Sequence, residues 1–265
     1  MIRSIFGKTL YERRWFILGW TLGMVALAML MTSFFPAMRQ QGGLDALVEN
    51  MPPAFQGLIG NLTYLRQFDT YIASQLFDIR VPLIAGVMSI ILGLGLSIRE
   101  EESGELRTLV ALPISRTKLL FEKWAAMICI VAITALGLMA GVYIILPFLS
   151  DASIDIIDMI RLVVMTFLVM ATYGTITFVA GVASGKRAVA MLVGVVTIIG
   201  SFLLTTFSAA VDWLQPYEKL SLLHYFPAVD IIKHGINWRD VTVFIAVMVL
   251  ALIVAWVCLR RRDLE

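Results

Sequence analysis

Six long runs without a charged side chain constrain this sequence more than any other feature. A helix of about 20 apolar residues crosses the roughly 30 Å hydrocarbon core of a bilayer. Because lipid offers no partner to a backbone amide, segments of this kind must be helical. The sequence therefore predicts six transmembrane helices. Their expected bounds are 15–37, 80–99, 121–149, 161–184, 188–211 and 241–260.

The composition excludes a soluble protein. Apolar residues make up 60% of the 265 and charged residues only 15%, whereas soluble domains average about 45–50% and about 25%. Both cysteines, Cys129 and Cys258, fall inside apolar runs, so neither a disulfide framework nor a metal-ligand spacing is present. No repeat or linker divides the sequence. We predict an all-α integral membrane protein with a single domain over residues 1–265.

The distribution of lysine and arginine sets the expected orientation. Six spans place both termini on one side, together with the loops 99–123 and 184–187. Fourteen lysines and arginines fall on that side and seven on the other. The positive-inside rule makes the richer side cytoplasmic. The predicted topology is therefore N-in and C-in, in a bacterial or archaeal plasma membrane. Because the basic residues lie at the membrane edges, we expect no nucleic-acid partner.

Three segments outside the spans carry their own patterns. Residues 1–14 predict an amphipathic helix on the inner membrane face, because apolar and basic residues alternate near helical spacing. The segment 39–80 is expected to be the longest outer loop, with short helices broken at its prolines. The aromatic-rich segment 212–240 is expected to lie on or dip into the outer leaflet. Its two histidines, His224 and His234, fit interfacial polar residues better than a metal site.

The cytoplasmic loop 99–123 has the pattern of a short helix below the membrane. Three glutamates at 100–102 suit a helix N-terminus, and Leu106, Leu109 and Val110 form one apolar stripe. Pro113 interrupts this helix, and Ser115 can cap the next one, which runs into the third span. A solvated hairpin that merely reverses the chain would also fit this periodicity.

The six uncharged runs at the centre of these spans contain no Asp, Glu, Lys, Arg or His, although such groups are the usual relays of ion-coupled transporters. Their absence weakens the interpretation as a secondary transporter. The nearest approach to a phosphate-binding loop, Gly181–Arg187, lacks the required spacing and the Ser or Thr after lysine. We interpret it as a tight inner turn and expect no enzymatic activity from this chain.

The stretch from Glu102 to Arg116, ESGELRTLVALPISR, resembles the loop after the second span in permeases of type-2 ABC exporters. The family pattern has an acidic residue, Gly, Thr or Ser, Leu, and then a leucine-rich helix ending in Pro-Ile/Val-Ser-Arg. Lys123 fits a later lysine of that pattern, and Glu105 departs from it where Thr or Ser is commoner. The ending 260–264, RRRDL, is also similar to the family's usual C-terminus.

The resemblance implies that this loop is a coupling helix seated in a groove of a separate ABC ATPase. Two ATPase copies and a second permease copy, identical or different, would complete the transporter, with ATP and Mg bound by the ATPase. The substrates implied are amphipathic or hydrophobic molecules, such as drugs, peptide antibiotics or lipid-like compounds, moved outward. The alternative is a polytopic scaffold or assembly protein without transport. The predicted coupling residues are Glu102, Gly104, Glu105, Leu106, Arg107, Leu109, Val110, Leu112, Pro113, Ser115 and Arg116.

A strip of hydroxyl side chains runs through spans four and five. Hydroxyls in helices often bond their own backbone, which would explain the strip without a function. The functional interpretation is that some of them line a translocation path between two permease copies. The candidate path residues are Thr172, Tyr173, Thr175, Thr197, Ser201 and Thr205.

Overall fold

A computed structural model describes residues 4–40, 67–98, 115–150, 152–208 and 211–261. Within these ranges the chain is helical and contains no strand. The α-helices are α1 (Ile5–Glu12), α2 (Arg14–Gln40), α3 (Phe68–Ile72), α4 (Val81–Ser97), α5 (Arg116–Ile145), α6 (Ile156–Ser184), α7 (Arg187–Phe207), α8 (Ala228–His234) and α9 (Trp238–Arg261). A π-helical segment, Ala73–Arg80, joins α3 to α4.

Among the described residues, six helices are long and apolar enough to cross a membrane. This confirms the predicted all-α fold with six spans. The candidate spans are Arg14–Met38, Phe68–Ser97, Thr117–Phe148, Ile156–Ser184, Arg187–Phe207 and Trp238–Arg260. The helix α6 lies at the centre, because it packs against α4, α5, α7 and α9.

Glycines allow the central helices to approach closely. A Cβ at Gly137 would meet the Thr21 carbonyl oxygen of α2 at 3.0 Å, and one at Gly93 would meet the Gly174 carbonyl oxygen of α6 at 2.8 Å. Small residues at membrane-helix contacts permit this backbone proximity. Gly19 and Gly23 of α2 differ from these glycines, because nothing lies within 4 Å of a Cβ added at either position.

The N-terminal helix begins where the sequence places an amphipathic segment. The Ser4 hydroxyl accepts a hydrogen bond from the Gly7 N–H at 3.1 Å, which caps α1. The Phe6 N–H donates to the Glu122 carboxylate at 3.1 Å, which fixes α1 against the beginning of α5. A single residue, Arg13, then separates α1 from α2. We call this side of the bundle, which also carries the α6–α7 turn, the basic end.

The start of α5 confirms the predicted cap. Ser115 has extended backbone dihedrals, and its hydroxyl accepts from the Lys118 N–H at 3.3 Å. The helix then continues from Arg116 to Ile145 without a break, as the sequence predicts. The rest of the predicted coupling segment, from Glu102 to Pro113, lies outside the described residues.

The second membrane helix begins earlier than predicted. Residues 68–80 were expected in the outer loop, but they form α3 and the π-helical segment, which lead directly into α4. Charged side chains in this stretch have hydrogen-bond partners: the Asp78 carboxylate accepts from the Ala228 N–H of α8 at 2.7 Å. The Arg80 guanidinium donates to the Gln75 side-chain oxygen at 3.0 Å. The uncharged run after Arg80 keeps its predicted place, but the helix that contains it is longer than predicted and carries Asp69, Asp78 and Arg80 at this end.

The segment between α7 and α9 is divided between the core and the surface. Its 3-10 helix Asp212–Leu220 presents exposed Trp213 and Tyr217, in agreement with an interfacial position. Phe226 is buried, as are Val229 and Ile231 of α8. This part packs into the bundle instead of lying wholly at its surface.

The α6–α7 connection is the tight turn that the sequence predicts. Gly185 adopts a left-handed conformation with φ of 61°, and its N–H donates to the Gly181 carbonyl at 2.8 Å. Such an ending favours glycine, which has no Cβ to strain the backbone. The turn brings Lys186 and Arg187 to the basic end.

Candidate functional site

The predicted coupling residues fall almost entirely outside the described part of the chain. Only Ser115 and Arg116 lie within it, at the start of α5. The cap at Ser115 fixes where α5 begins and therefore where the preceding loop must end. The assignment of the loop to ATPase coupling stays a prediction.

The candidate path residues of α6 lie inside the core of this chain. Thr172, Tyr173 and Thr175 are all buried. The Thr172 hydroxyl donates to the Leu168 carbonyl at 2.7 Å, and the Thr175 hydroxyl donates to the Ala171 carbonyl at 2.7 Å. These bonds satisfy the hydroxyls within their own helix. A role in the translocation path stays a prediction for all three residues.

Thr175 has a second partner that the sequence did not indicate. The indole N–H of Trp124, near the start of α5, donates to the Thr175 hydroxyl at 2.9 Å. The hydroxyl therefore acts as donor to its own helix and as acceptor for a neighbouring one. This bond links α5 to the central helix.

The candidate path residues of α7 divide into two groups. Thr197 donates to the Val193 carbonyl of its own helix at 2.7 Å. Ser201 and Thr205 instead meet Ser221 of the following segment: the Ser221 hydroxyl donates to the Ser201 carbonyl at 2.8 Å and lies 2.6 Å from the Thr205 hydroxyl. The Ser201 hydroxyl also accepts from the Leu222 N–H at 3.3 Å. These residues anchor the segment after α7.

A groove of about 650 Å³ lies between α4 and α7 and reaches Arg13 at the basic end. Its volume is within the range of about 300–1,000 Å³ that is usual for small-molecule sites. Aliphatic side chains make most of its wall, and two arginines are its charged components. The lining residues are Arg13, Val87, Ile90, Ile91, Leu94, Gly95, Ile98, Arg187, Met191 and Val195.

Arg13 is held in the groove by a glycine. Its guanidinium donates to the Gly95 carbonyl of α4 at 2.7 Å, and a Cβ at Gly95 would collide with that guanidinium. Arg187 enters the groove from the first turn of α7, where the aligned peptide dipoles add positive potential. The described lining contains no carboxylate. The groove thus combines an apolar wall with a cationic end.

Sequence reasoning missed this groove. It counted Arg13 and Arg187 only as markers of orientation, and nothing in the sequence places either beside Gly95. The sequence indicates only that Arg13 precedes the first span and that Arg187 follows the turn before the fifth span. Only the packing of α4 against α6 and α7 brings these residues together.

A second, smaller cavity lies between α5 and α9. It has a volume of about 330 Å³ and is lined by Phe121, Val249, Leu252, Ile253 and Trp256. Its lining is apolar throughout. The Arg260 guanidinium lies 3.9 Å from the centre of the ring of Trp256, one of the lining residues. The described lining of this cavity has no charged side chain to orient a ligand.

Comparison with known proteins identifies the family. The model of a family described as ABC-2 family transporter protein matches residues 13–264. No curated protein and no solved structure matches the chain. Because the family match covers nearly the whole chain and six of its helices can span a membrane, the chain belongs to the ABC-2 transporter family and is a multi-pass membrane permease of an ABC transporter.

Proposed function

We propose that this chain is the permease subunit of an ATP-driven exporter that moves amphipathic or hydrophobic molecules outward across a bacterial or archaeal plasma membrane. The observation that carries the proposal is the family match over residues 13–264. This permease and a second one, identical or different, assemble with two ATPase subunits, which bind ATP and Mg. We expect no ATP hydrolysis by the chain itself, because the sequence Gly181–Arg187 lacks the spacing of a phosphate-binding loop and the Ser or Thr after lysine.

The groove between α4 and α7 is the part of the described chain best suited to the substrate. It is concave and largely apolar, and Val87 and Ile91 of its wall are half exposed on the surface of this chain. A second copy placed over that surface would enclose the groove. The buried hydroxyls of α6 reach such a path only after a rearrangement of the helices.

The coupling proposal is tested by Leu109→Asp. Burying an apolar side chain against an ATPase contributes about 1.5–3 kcal/mol, and a carboxylate at that position would be desolvated without a partner. We expect the variant to insert normally but to lose its ATPase or its transport. Copurification and transport are measured together.

The matched control for Leu109→Asp is Lys118→Ala. Lys118 is exposed on the first turn of α5, and among the described residues it forms an ion pair with Glu122 of its own helix at 3.7 Å. A surface pair of this kind contributes little, so the control keeps both partner and transport. A Leu109→Asp variant that behaves like the control would contradict the coupling assignment and favour a solvated hairpin. Normal insertion without any copurifying ATPase in the parent would favour the scaffold alternative.

The orientation is tested by cysteine labelling of intact cells. Ser153 and Lys219 are exposed at the end of the bundle opposite the basic end. Cysteines placed there should react with an impermeant thiol reagent from outside, whereas Ser103→Cys should not, because positive charge retains its loop in the cytoplasm. Outside labelling of position 103 would reverse the topology and with it the direction of transport.

A further inference from the structure

The second membrane helix and the segment between α7 and α9 meet at the end of the bundle opposite the basic end. There the Asp78 carboxylate of the π-helical segment accepts a hydrogen bond from the N–H of Ala228, the first residue of α8, at 2.7 Å. We propose that α8 is a latch that closes this end of the permease and undocks from Asp78 when the transporter opens outward. The opening step rests on the proposed export function, whereas the docking of α8 by Asp78 does not.

The helix α8 is too short to be stable by itself. It has seven residues, Ala228–His234, and isolated helices below about 12–15 residues are marginal in water. Pro227, which precedes it, has no side-chain oxygen to accept from the first N–H groups of the helix. The Asp78 carboxylate supplies that acceptor from a position 150 residues away along the chain. The stability of α8 therefore depends on its docking.

The two faces of α8 suit a movable closure. Ala228, Val229 and Ile231 form a buried face, which packs against the π-helical segment and α6. Asp230 and His234 lie on an exposed face. Burial of the apolar face stabilises the docked position, and the polar face stays hydrated whether α8 is docked or not.

The elements on either side of the latch have anchors of their own. The Tyr71 hydroxyl of α3 donates to the Met31 carbonyl of α2 at 2.8 Å. The Ser221 hydroxyl, a few residues before α8, donates to the Ser201 carbonyl of α7 at 2.8 Å. The second membrane helix is thus held to α2, and the segment that leads into α8 is held to α7. A movement of the second membrane helix relative to α7 is therefore concentrated where Asp78 meets α8.

A rigid helix connects the latch to the basic end. From the π-helical segment, α4 runs over Val81–Ser97, a rise of about 25 Å at 1.5 Å per residue. The loop that follows α4 is the predicted contact with the ATPase, so a displacement of this loop reaches Asp78 through one element. A π-helical segment, a form often found at functional sites, can rearrange by exchanging its i→i+5 bonds for the i→i+4 bonds of an α-helix.

Undocking requires water at Asp78. A carboxylate without a hydrogen-bond partner in apolar surroundings is costly, and Leu76 and Phe77 of the same segment are fully buried. The undocked state is therefore one in which water reaches this end of the second membrane helix. A water-soluble reagent distinguishes it from the docked state.

Docking is tested by hydrogen exchange on the purified full chain in detergent micelles. Asp78→Ala removes the acceptor of the Ala228 N–H and should make exchange at residues 228–231 about tenfold faster, as expected for the loss of one hydrogen bond to a charged group. Asp78→Asn keeps an oxygen acceptor and should stay within about threefold of the parent. The matched control is Asp155→Ala. Asp155 caps its own helix α6 through the Ile157 N–H at 3.3 Å, so its loss should speed exchange at the start of α6 and not at residues 228–231.

Undocking is tested in the transporter reconstituted with its copurifying ATPase. Ile231→Cys places a thiol on the buried face of α8, where an impermeant thiol reagent is added on the side opposite the ATPase. We expect labelling to become about tenfold faster with a non-hydrolysable ATP analogue, and to be fast without nucleotide when Asp78→Ala is also present. His234→Cys on the exposed face is the control and should react equally in every state. The parent chain, with Cys129 and Cys258 inside membrane helices, gives the background.

Three results would overturn parts of this inference. Unchanged exchange at residues 228–231 in Asp78→Ala would show that Asp78 does not hold α8. Slow labelling of Ile231→Cys with nucleotide, in a transporter that hydrolyses ATP, would make α8 a static part of the bundle. Faster exchange in Asp78→Ala without any copurifying ATPase would sink the export function and leave the docking intact. If Asp78→Ala does not fold, the parent chain decides, because its exchange at residues 228–231 should rise with nucleotide, and no rise during ATP hydrolysis would end the latch proposal.

Discussion

The helices α6 and α7 look alike in sequence but occupy different environments. Both are apolar spans with several threonines or serines. In the candidate span of α6, 83% of the most apolar window is buried, against 22% in α7. Hydropathy therefore identifies which segments cross the membrane, and the surrounding helices decide which of them form the core.

The hydroxyl groups of α6 and α7 also differ in their hydrogen-bond partners. In α6, Thr172 and Thr175 are enclosed and bonded to their own backbone. In α7, Ser201 and Thr205 hold the following segment through Ser221. The sequence predicts one path from this strip of hydroxyl side chains, but the hydroxyls have two different structural roles. The groove between α4 and α7 has an aliphatic wall instead.

The largest expected loss of stability is at Gly93, where the backbones of α4 and α6 lie close together. Gly93→Leu would drive a side chain into the α6 backbone, since even a Cβ would meet the Gly174 carbonyl oxygen at 2.8 Å. Overpacking typically costs about 1–3 kcal/mol of folding free energy, and occasionally more; here the obstacle is backbone, so we expect a cost at the upper end of that range. We expect little folded protein, measured as monodisperse material after detergent extraction.

The matched variant on the open helix is Gly200→Leu. Nothing lies within 4 Å of a Cβ added at this position of α7, and leucine is the better helix former. We expect parental yield and an equal or higher unfolding temperature. If Gly200→Leu is as damaging as Gly93→Leu, the open face of α7 is packed against another chain, and the contrast between the two helices fails.

The number and type of the membrane helices follow from the sequence, because each span needs only its own apolar length. The start of the second membrane helix at Phe68 does not follow from the sequence. The Asp78 carboxylate in this stretch accepts a hydrogen bond from the Ala228 N–H, which is far away along the chain. The groove is hidden for the same reason: Arg13 and Gly95 meet only after folding. Periodicity assigns residues to a face of a helix but does not identify the neighbour of that face.

A smaller effect is expected where α7 holds the following segment. Ser221→Ala removes a donor to the Ser201 carbonyl and the acceptor of the Leu223 N–H. Leaving buried hydrogen-bonding groups without a partner lowers the free energy of unfolding by about 1–3 kcal/mol. We expect faster hydrogen exchange at residues 221–223 with little change in the α6 core.

The control for Ser221→Ala is Ser208→Ala. The Ser208 hydroxyl donates at 3.2 Å to the Thr205 carbonyl, within the end of its own helix, so its loss should not loosen residues 221–223. Equal exchange in the two variants would mean that Ser221 is not the anchor. Faster exchange throughout α6 would mean that the two helices unfold as one unit.

The smallest effect separates two threonines of α6 that stand three residues apart. Thr175→Val preserves shape but leaves the Trp124 indole N–H without its acceptor at 2.9 Å, which costs about 1 kcal/mol or more. Thr172→Val removes only a bond to its own helix and should cost less than about 0.5 kcal/mol. Thermal unfolding in detergent measures both, and a change in tryptophan fluorescence is expected only for Thr175→Val. Equal unfolding temperatures would show that the Trp124 bond does not contribute to stability. Loss of transport in Thr172→Val at unchanged stability would instead restore that hydroxyl to the translocation path, because its backbone bond alone could not explain the defect.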